Sequence, residues 1–280
     1  MSRTRLWLVI GFVLVLATAL IGAGCGGDDD DDDGGAAGEP ELITEGTLTV
    51  GIDTPFPPFE IGRVPDVTGY DVEVMDAIAE KIELTTEYQD TSFDTIFRDV
   101  AQGRFDIAAA ASTITPGRER TVDFSDPYYE AQQALVVSED NTEITSVDDL
   151  GGAVVGAQDA TTGETYANEE TEASEVRGFP EGPDAIAAVR SGQVDAAIID
   201  QPVAVDAEEK QGGIMTAEEI TTDELYGFAM APDNDALRED VNEALTELKD
   251  DGTIADLYDK YFKVEPPESV LEGTNEDLTD

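Results

Sequence analysis

The stretch IFRDVAQGRFDIAAA at residues 96–110 decides the fold, and it has a counterpart, AIAAVRSGQVDAAII, at residues 185–199. In each copy a helical apolar pattern ends at a glycine, Gly103 or Gly192. Glycine is the residue that helix C-termini favour. An aspartate and an apolar strand then follow in both copies. The shared order predicts that the chain contains two units built on one plan.

Helices and strands alternate around both copies. Apolar periodicity predicts strands at 47–52, 84–88, 105–110, 153–157, 173–179, 194–199 and 226–231. It predicts helices at 70–82, 95–101, 146–150, 162–168, 183–191, about 202–211, 236–249 and 254–262. This alternation is typical of an α/β fold with a mostly parallel sheet and helices on its faces.

Charge and composition exclude several classes of function. The 280 residues include 15 Lys and Arg against 64 Asp and Glu, for a formal net charge of −49. Nucleic acid is not an expected partner, because phosphate binding needs basic patches. The absence of histidine excludes Ser-His-Asp and Cys-His nucleophiles and His-ligated metal sites. An anionic ligand group would need a local positive site against this acidic background.

The first 24 residues predict export from the cytoplasm. Two arginines precede an apolar run at 6–21 and three small residues at 22–24. This order is that of a secretion signal. Cys25 follows directly and resembles the lipidated cysteine of bacterial lipoproteins, although Gly22 stands where that motif usually has leucine. An uncleaved membrane anchor and ordinary secretion are the alternatives, and each of them also exports the domain.

Two segments outside the periodic region are expected to lack a core. Residues 25–45 include six consecutive aspartates flanked by glycines, which predicts a disordered acidic tether. A calcium site is the alternative for the aspartates, but the spaced ligands and turn of a calcium loop are missing. Residues 264–280 are predicted to form a flexible acidic tail.

The stretch ASTITPGRERTVDFSDPYY at 111–129 follows the strand of the first copy. Arg118 lies behind a Pro-Gly turn signal, and its planar guanidinium can bind a carboxylate through two parallel hydrogen bonds. In the second copy the equivalent position after the strand is Asp200. Ligands of open α/β sheets bind beyond the carboxyl ends of strands. We therefore expect Arg118 and Asp200 to face one cleft and to bind the carboxylate and the ammonium of an α-amino acid.

Both residues also have a structural interpretation. Arg118 could pair with a neighbouring acid on a surface loop. Asp200 could cap a helix, because Pro202 opens the next helical segment and aspartate is a preferred N-cap.

Five segments, taken in order, resemble the polar amino-acid-binding family of extracytoplasmic solute receptors of ABC importers. They are LTVGIDTPFPPFE (48–60), TGYDVEVMDAIAEKI (68–82), FDTIFRDVAQGRFDIAAAASTITPGRERTVDFSDPYY (93–129), GAQDATTGETYANE (156–169) and VDAAIIDQP (194–202). The resemblance implies a two-lobed periplasmic-binding-protein-like (type II) fold with two mixed sheets, helices on both faces and two crossover strands. The first lobe would comprise 46–136 and 228–263, and the second 137–227.

The resemblance also implies how the α-groups of a ligand would be held. Arg118 would bind the α-carboxylate, and Asp200 would pair with the α-ammonium. Thr113 and the backbone of Ala111 would bind either group. The N–H groups of two threonines at a helix start would also contact the carboxylate, and these are Thr161 and Thr162. This sequence departs from the family at Ala160, where the family commonly has a glycine.

The side chain of the ligand would meet four further residues. Phe56 and Phe93 would enclose it, although isolated aromatic residues of this kind also serve as core residues. Asp53 and Gln158 would lie near its polar end, although Asp53 could instead cap the proline-rich loop.

The resemblance implies an exported, lipid-anchored monomer at the outer face of the cytoplasmic membrane. It would close on a polar L-amino acid, with glutamine, histidine or a cationic amino acid favoured, and deliver it to an ABC permease. No cofactor, no metal and no catalysis are expected. The alternatives are a dehydratase on the same fold and a ligand-sensing module.

Overall fold

The computed structural model describes residues 40–275, so the predicted signal segment, the predicted lipidation at Cys25 and most of the predicted tether lie outside the described residues. The strands in the described range are β1 (Thr47–Ile52), β2 (Thr85–Asp90), β3 (Ile107–Ala108), β4 (Asp123–Phe124), β5 (Tyr129–Ser138), β6 (Val154–Gln158), β7 (Glu175–Phe179), β8 (Ala196–Asp200), β9 (Ile214–Tyr226) and β10 (Ala229–Met230). The α-helices are α1 (Tyr70–Lys81), α2 (Phe93–Ala101), α3 (Thr162–Glu169), α4 (Gly182–Ser191), α5 (Gln201–Gln211), α6 (Asp235–Asp250), α7 (Thr253–Phe262) and α8 (Glu268–Leu271). Within residues 40–275 no helix has both the length and the apolar character needed to cross a bilayer.

The strands form two five-stranded mixed sheets, in the orders β2-β1-β3-β10-β4 and β7-β6-β8-β5-β9. In the first sheet β1 runs parallel to β2 and β3, whereas β10 is antiparallel to β3 and β4. In the second, β6 runs parallel to β7 and β8, whereas β5 is antiparallel to β8 and β9. The predicted α/β class with two mixed sheets is confirmed.

The glycines of the two sequence copies have the same backbone conformation. Gly103 has a φ of 70° and Gly192 a φ of 69°, in the left-handed region that side chains with a Cβ rarely adopt. Each glycine follows its helix, α2 or α4, and turns the chain toward the next strand, β3 or β8. The repeated sequence pattern therefore has a repeated physical cause, which is the same helix-to-strand turn in both sheets.

The aspartates of the two copies make equivalent bonds as well. Asp106 donates its N–H to the Thr49 carbonyl at 2.9 Å and accepts the Thr49 N–H on Oδ2 at 2.7 Å. Asp195 likewise donates to the Val154 carbonyl and accepts the Val154 N–H, both at 2.8 Å. Each aspartate therefore ties its turn to the neighbouring parallel strand, β1 or β6, so their role is structural.

The alternation of helices and strands does not predict β5 or most of β9. These two strands pair antiparallel from Tyr129 opposite Tyr226 to Ser138 opposite Ile214. The sequence of β9, IMTAEEITTDELY, is largely polar and only partly buried, so it lacks a clear apolar run. Since β5 pairs with β8 and β9, residues 129–136 belong with the second sheet. This corrects their assignment to the first lobe.

A buried aromatic cluster lies where the chain passes between the sheets. Tyr128 stacks on Phe228 with ring centroids 4.0 Å apart and planes 4° from parallel. Tyr129 and Tyr226 adjoin this pair, and Phe59 packs against both of them at 5.0 and 5.5 Å. Each stacked or edge-to-face aromatic pair of this kind stabilises the fold by about 0.5–1.5 kcal/mol beyond the effect of burying its area. The cluster therefore anchors both places where the chain passes between the sheets, which are the start of β5 and the end of β9.

The expectation of a loose C-terminal tail is wrong for residues 264–275. This segment contains α8, whose Val270 is fully buried. Beyond that helix, the N–H of Asn275 donates to Asp126 Oδ1 at 2.9 Å. Burial of one apolar side chain and satisfaction of a backbone group hold this part of the chain against the body of the protein. Residues 276–280 of the predicted tail lie outside the described range.

The last residues of the predicted tether, 40–45, also pack on the fold. The N–H of Ile43 donates to Asp106 Oδ1 at 2.8 Å, and Leu42 packs against the main hydrophobic cluster. Glu41 and Asn234 exchange two hydrogen bonds, at 3.3 and 2.9 Å. Residues 40–45 therefore form a short docked segment before β1.

Candidate functional site

The residues predicted for the site line one cavity. All ten do so, namely Asp53, Phe56, Phe93, Ala111, Thr113, Arg118, Gln158, Thr161, Thr162 and Asp200. Those from Asp53 to Arg118 belong to segments beside the first sheet, and those from Gln158 to Asp200 to segments beside the second. Glu60 and Ala110 complete the lining. The cavity therefore lies where loops from both sheets meet, beyond the carboxyl ends of strands such as β1, β6 and β8.

Arg118 is held at the cavity by backbone acceptors and aromatic rings. Its Nη1 donates to the carbonyl of Thr113 at 2.7 Å, and its Nη2 donates to the carbonyl of Ala160 at 3.3 Å. Its guanidinium carbon lies 4.6 Å from the ring centroid of Phe97 and 5.1 Å from that of Phe93. Aromatic faces at these distances attract a cation. These contacts fix the plane of the guanidinium and so the direction of its N–H groups.

The charge of Arg118 has no ion-pair partner within the described residues. None of the ion pairs formed among residues 40–275 includes it. Burial lowers the pKa of Arg118 to about 10, and the carboxylates of Glu224 and Asp200 act in the opposite direction. The group is therefore positive at neutral pH, partly desolvated and available to a carboxylate brought by a ligand.

Asp200 occupies the N-cap position of α5, but its side chain makes no capping hydrogen bond. Its carboxylate instead accepts a hydrogen bond from Gln133 Nε2 and faces the cavity. Burial raises the pKa of Asp200 to about 7, and the nearby Glu224 raises it further, whereas hydrogen bonding and Arg118 oppose the shift. The capping interpretation therefore accounts for the backbone position of Asp200 and not for its side chain.

The first turn of α3 lies at the cavity. Thr161 is the N-cap, and its hydroxyl accepts the Glu164 N–H at 3.1 Å and donates to the Gln158 carbonyl at 2.7 Å. Thr162, the first helical residue, also lines the cavity. The first N–H groups of a helix have no intrahelical acceptor and attract anions. This helix end can therefore supplement Arg118 in binding a carboxylate.

Ala160, which precedes the cap of α3, has a φ of 64°. Glycine adopts this left-handed conformation without strain, whereas an L-residue pays about 1–2 kcal/mol. The glycine that the resembling family has here thus matches a real backbone requirement.

Replacing Ala160 by glycine is expected to stabilise the ligand-free protein by about 0.5–1 kcal/mol. The relief of about 1–2 kcal/mol of backbone strain exceeds the roughly 0.5–1 kcal/mol that glycine loses through chain entropy. Urea unfolding at fixed pH measures the difference. Ala77→Gly, within α1, is the control and is expected to destabilise. A loss of stability in the Ala160 variant equal to that of the control would contradict the strain argument.

A hydrogen bond between Gln158 and Asp53 joins the two sides of the cavity. Gln158 Nε2, from the end of β6, donates to Asp53 Oδ2, which follows β1, at 2.7 Å. Burial raises the pKa of Asp53 to about 7, with Asp90 and Glu181 acting in the same direction and Arg63 against it. A buried carboxylate with only one donor can accept further hydrogen bonds, so this end of the cavity suits a donor group.

Glu60 is a third carboxyl group at the cavity, after Asp53 and Asp200, and is fully buried. Neither of its oxygens accepts a bond from an N–H or hydroxyl group of residues 40–275. Its neighbour is the buried carboxyl of Asp71, whose Oδ2 accepts the Ala111 N–H and the Tyr128 hydroxyl, both at 2.8 Å. Burial raises the pKa of Glu60, and the charge of the neighbouring Asp71 raises it further. Burial also raises the pKa of Asp71, whereas its hydrogen bonds with Glu60, Ala111 and Tyr128 oppose the shift.

Phe56 and Phe93 are both core residues and cavity-lining residues, so the two interpretations of them from the sequence are compatible. They are only 7% and 6% exposed and belong to hydrophobic clusters, yet both also line the cavity. Gly182, at the start of α4, allows the ring of Phe56 to approach, since a Cβ there would lie 2.6 Å from that ring. These rings are therefore core residues whose inner faces form an apolar wall of the site.

Sequence reasoning missed three polar residues at or beside the cavity. Glu60 follows the proline-rich loop, and only its position after two prolines and a phenylalanine could have drawn attention to it. Gln133 lies on β5 and Glu224 on β9. The periodicity predicts neither β5 nor most of β9. A side chain on an unpredicted strand cannot be placed relative to a site.

A family comparison and searches of known proteins agree on one class of relative. Residues 48–264 match the model of the bacterial extracellular solute-binding proteins, family 3. The probable amino-acid-binding protein YxeM of Bacillus subtilis (strain 168) is 31% identical over 226 residues, covering 78% of this chain and 84% of that protein. The L-cystine-binding protein TcyJ of Escherichia coli (strain K12) is 30% identical over 221 residues, covering 78% and 83%.

Solved structures give the same result. An ancestral arginine-binding protein bound to arginine superposes with a TM-score of 0.73 at 36% identity, covering 78% of this chain and 98% of that one. An ancestral amino acid-binding protein described as a precursor of cyclohexadienyl dehydratase also has a TM-score of 0.73 and 36% identity, covering 78% and 96%. The similarity thus extends over nearly the whole of both solved structures and over 78% of this chain.

Proposed function

Because the chain belongs to the bacterial extracellular solute-binding proteins of family 3, we propose that it binds an amino acid in this cavity and delivers it to the permease of an ABC importer. The observation that carries the proposal is the opposite charge of Arg118 and Asp200 on one cavity. These residues lie beside different sheets, so a zwitterion bound to both bridges the two halves. A ligand with higher affinity for the closed arrangement favours closure by that difference in affinity.

We propose a division of roles among the lining residues. The Arg118 fork and the first N–H groups of α3 bind the α-carboxylate. Asp200 and the hydroxyl of Thr113 bind the α-ammonium, and Phe56 and Phe93 enclose the aliphatic part of the side chain. Each group of the ligand then meets a protein group of opposite charge or matching polarity, which leaves no buried charge unpaired.

The proposed ligand is a cationic amino acid such as arginine or lysine. Besides Asp200, two further carboxyls, Asp53 and Glu60, line the cavity, and Arg118 is its only basic lining residue within residues 40–275. A cationic side chain supplies donors to these carboxyls, whereas glutamine or histidine leaves at least one without a partner. The net charge of −49 also raises the local concentration of cations. The likeness to an arginine-bound ancestral protein supports the same class.

A thermal-shift screen against the twenty amino acids tests the proposal. A ligand that binds only the folded state at 100 times its Kd stabilises it by about 2.7 kcal/mol. Arginine or lysine is expected to give the largest rise in Tm. If no amino acid raises the Tm, the proposed function is wrong; if only apolar or acidic amino acids do, the assignment to cationic ligands is wrong.

Replacing Asp53 by asparagine is expected to weaken arginine binding by about 1.5–3 kcal/mol, the worth of a hydrogen bond to a charged group. Asparagine has nearly the same shape but lacks the negative charge that a guanidinium requires. Calorimetry with arginine and glutamine measures the effect, which is expected to be smaller for glutamine. Asp259→Asn, exposed on α7, is the control. Equal losses for both ligands would contradict a role of Asp53 in recognising charge.

We also propose that the protein acts as an exported monomer, lipid-anchored at Cys25, and as a receptor and not as an enzyme. Relatives named as amino-acid-binding proteins support the receptor assignment. Metabolic labelling with a radioactive fatty acid, with Cys25→Ser as the control, tests the anchor. Turnover of a prephenate-type substrate by purified protein would contradict the receptor assignment.

A further inference from the structure

Glu224 is a buried carboxylate at the centre of the polar groups of the site. It lies near the end of β9, is 8% exposed and does not itself line the cavity. Its Oε2 accepts hydrogen bonds from the hydroxyl of Thr113 at 2.5 Å and from the hydroxyl of Thr162 at 2.7 Å. Its Oε1 accepts a bond from Gln133 Nε2 at 3.1 Å. One side chain on a crossover strand thus holds groups from both sides of the cavity.

These bonds determine where the hydroxyl protons point. A carboxylate can only accept hydrogen bonds, and a threonine hydroxyl has a single proton to donate. The protons of Thr113 and Thr162 are therefore both directed at Glu224, which leaves only oxygen lone pairs for a ligand. The amide of Gln133 is committed in the same way, because Nε2 donates to Glu224 and to Asp200. None of these groups can donate to a ligand while these hydrogen bonds are kept.

The site consequently contains one set of groups that can only accept hydrogen bonds and another set that can only donate them. The two threonine hydroxyls and the carboxylate of Asp200 can only accept. Arg118, which has five N–H donors and no acceptor, and the N-terminus of α3 can only donate. An α-ammonium is a pure donor and an α-carboxylate a pure acceptor, so a ligand of the proposed class fits in one orientation.

We propose that Glu224 is a positioning residue that selects ligands with an α-ammonium group by fixing the hydroxyl protons of Thr113 and Thr162. The inference rests on the proposed function, because it concerns the same cavity and an amino-acid ligand. It adds a residue that touches no ligand and a property, discrimination between an α-ammonium and an α-hydroxyl group. An α-hydroxy acid has only one proton to share among these acceptors and leaves some of them unpaired, which buried sites reject strongly.

The test measures two ratios of affinity by calorimetry, in the wild type and in E224Q. The first ratio compares L-arginine with its α-hydroxy analogue, and the second compares L-arginine with its methyl ester. Glutamine at position 224 is close in shape but replaces one carboxylate oxygen by an NH₂ donor, so the hydrogen bonds from Thr113, Thr162 and Gln133 cannot all be kept, and the hydroxyl protons are no longer fixed. We expect E224Q to lower the first ratio at least tenfold and to leave the second within threefold, because the ester probes only the carboxylate contacts.

Controls separate positioning from general damage to the structure. Glu219→Gln, exposed on the same strand, is expected to leave both ratios unchanged. Glu224→Asp keeps a carboxylate and is expected to restore most of the first ratio. Thr162→Val removes one of the oriented hydroxyls while leaving Glu224 in place, and it is expected to lower the first ratio in the same direction. This variant tests the proposal even if E224Q does not fold.

The outcomes distinguish this proposal from the one it rests on. Arginine that binds the wild type with the first ratio unchanged in both E224Q and Thr162→Val overturns the role of Glu224 and leaves the proposed function intact. A parallel fall in both ratios assigns Glu224 a merely structural role and also overturns the proposal. Failure of the wild type to bind arginine overturns the cationic assignment and, with it, this inference.

Discussion

Replacing Arg118 by alanine is expected to weaken amino-acid binding by about 2–5 kcal/mol, the range for truncating one partner of a buried charge pair. At 1.4 kcal/mol per tenfold change, this corresponds to a rise in Kd of roughly 30- to 4,000-fold. The structure gives the reason for a loss of this size. Arg118 has no ion-pair partner among residues 40–275, and its guanidinium is already oriented by Thr113, Ala160 and two aromatic rings. A ligand carboxylate therefore meets a fixed, partly desolvated charge.

Two matched variants sharpen this experiment. Arg120→Ala removes an exposed arginine two positions away, whose Nη1 donates to the Pro116 carbonyl, and is expected to leave Kd unchanged. Arg118→Lys keeps the charge and loses the planar fork, so an intermediate Kd is expected. Calorimetry on folded variants measures all three. Near-wild-type affinity in Arg118→Ala would remove Arg118 from the binding site, whatever the other variants show.

The fold could be predicted from the sequence wherever burial leaves a periodic signal. The repeated helix-glycine-aspartate-strand pattern predicts two related units, and the left-handed glycines and strand-tying aspartates are its physical basis. The pattern does not extend to β5 and β9, and β9 is largely polar and only partly buried, so it has no clear apolar run. Their pairing is decided by contacts between distant parts of the chain, which leave no local periodicity.

The residues of the site likewise fall into those that the sequence predicts and those that it does not. The ten predicted residues follow predicted elements or belong to motifs of a resembling family, and they line one cavity. Glu60 and Glu224 do not follow from the sequence, because their importance depends on burial beside other charges. A carboxylate among 64 acidic residues is ordinary in composition. Only the structure separates the buried ones from those that keep the surface solvated.

These buried acids also show what the site costs the fold. Asp53, Glu60, Asp71 and Asp200 each have a pKa that burial raises. Desolvated carboxyl groups oppose folding when they ionise, unless donors or cations compensate them. A bound cationic amino acid supplies that compensation. Ligand binding and protonation are therefore alternative ways to stabilise the same cavity, and they should compete as pH changes.

Replacing Asp200 by asparagine is expected to weaken binding by about 2–5 kcal/mol, as for Arg118, since it removes the other half of the charge pair. The pH dependence is expected to change as well. Asp53 and Asp200 both have a pKa of about 7, and each must be ionised to bind a cationic group. Below pH 7 the slope of log Kd against pH should therefore change from about −2 in the wild type to about −1 in the variant. Calorimetry between pH 5 and 8 measures both slopes.

The same substitution is expected to make the ligand-free protein more stable at pH 8. The folded-state pKa of Asp200 is raised from 3.8 to about 7, so the folded protein binds more protons than the unfolded chain between these values. Its contribution to stability therefore decreases as pH rises through this window. Asparagine cannot ionise, so the variant should have a higher free energy of unfolding than the wild type at pH 8. At pH 4 the two should differ little. Asp206→Asn on the same helix, where Asp206 pairs with Lys210 at 2.5 Å, is the control. Lower stability together with weaker binding at pH 8 would contradict this account, because it would mean that Asp200 holds α5 in place and does not serve the ligand.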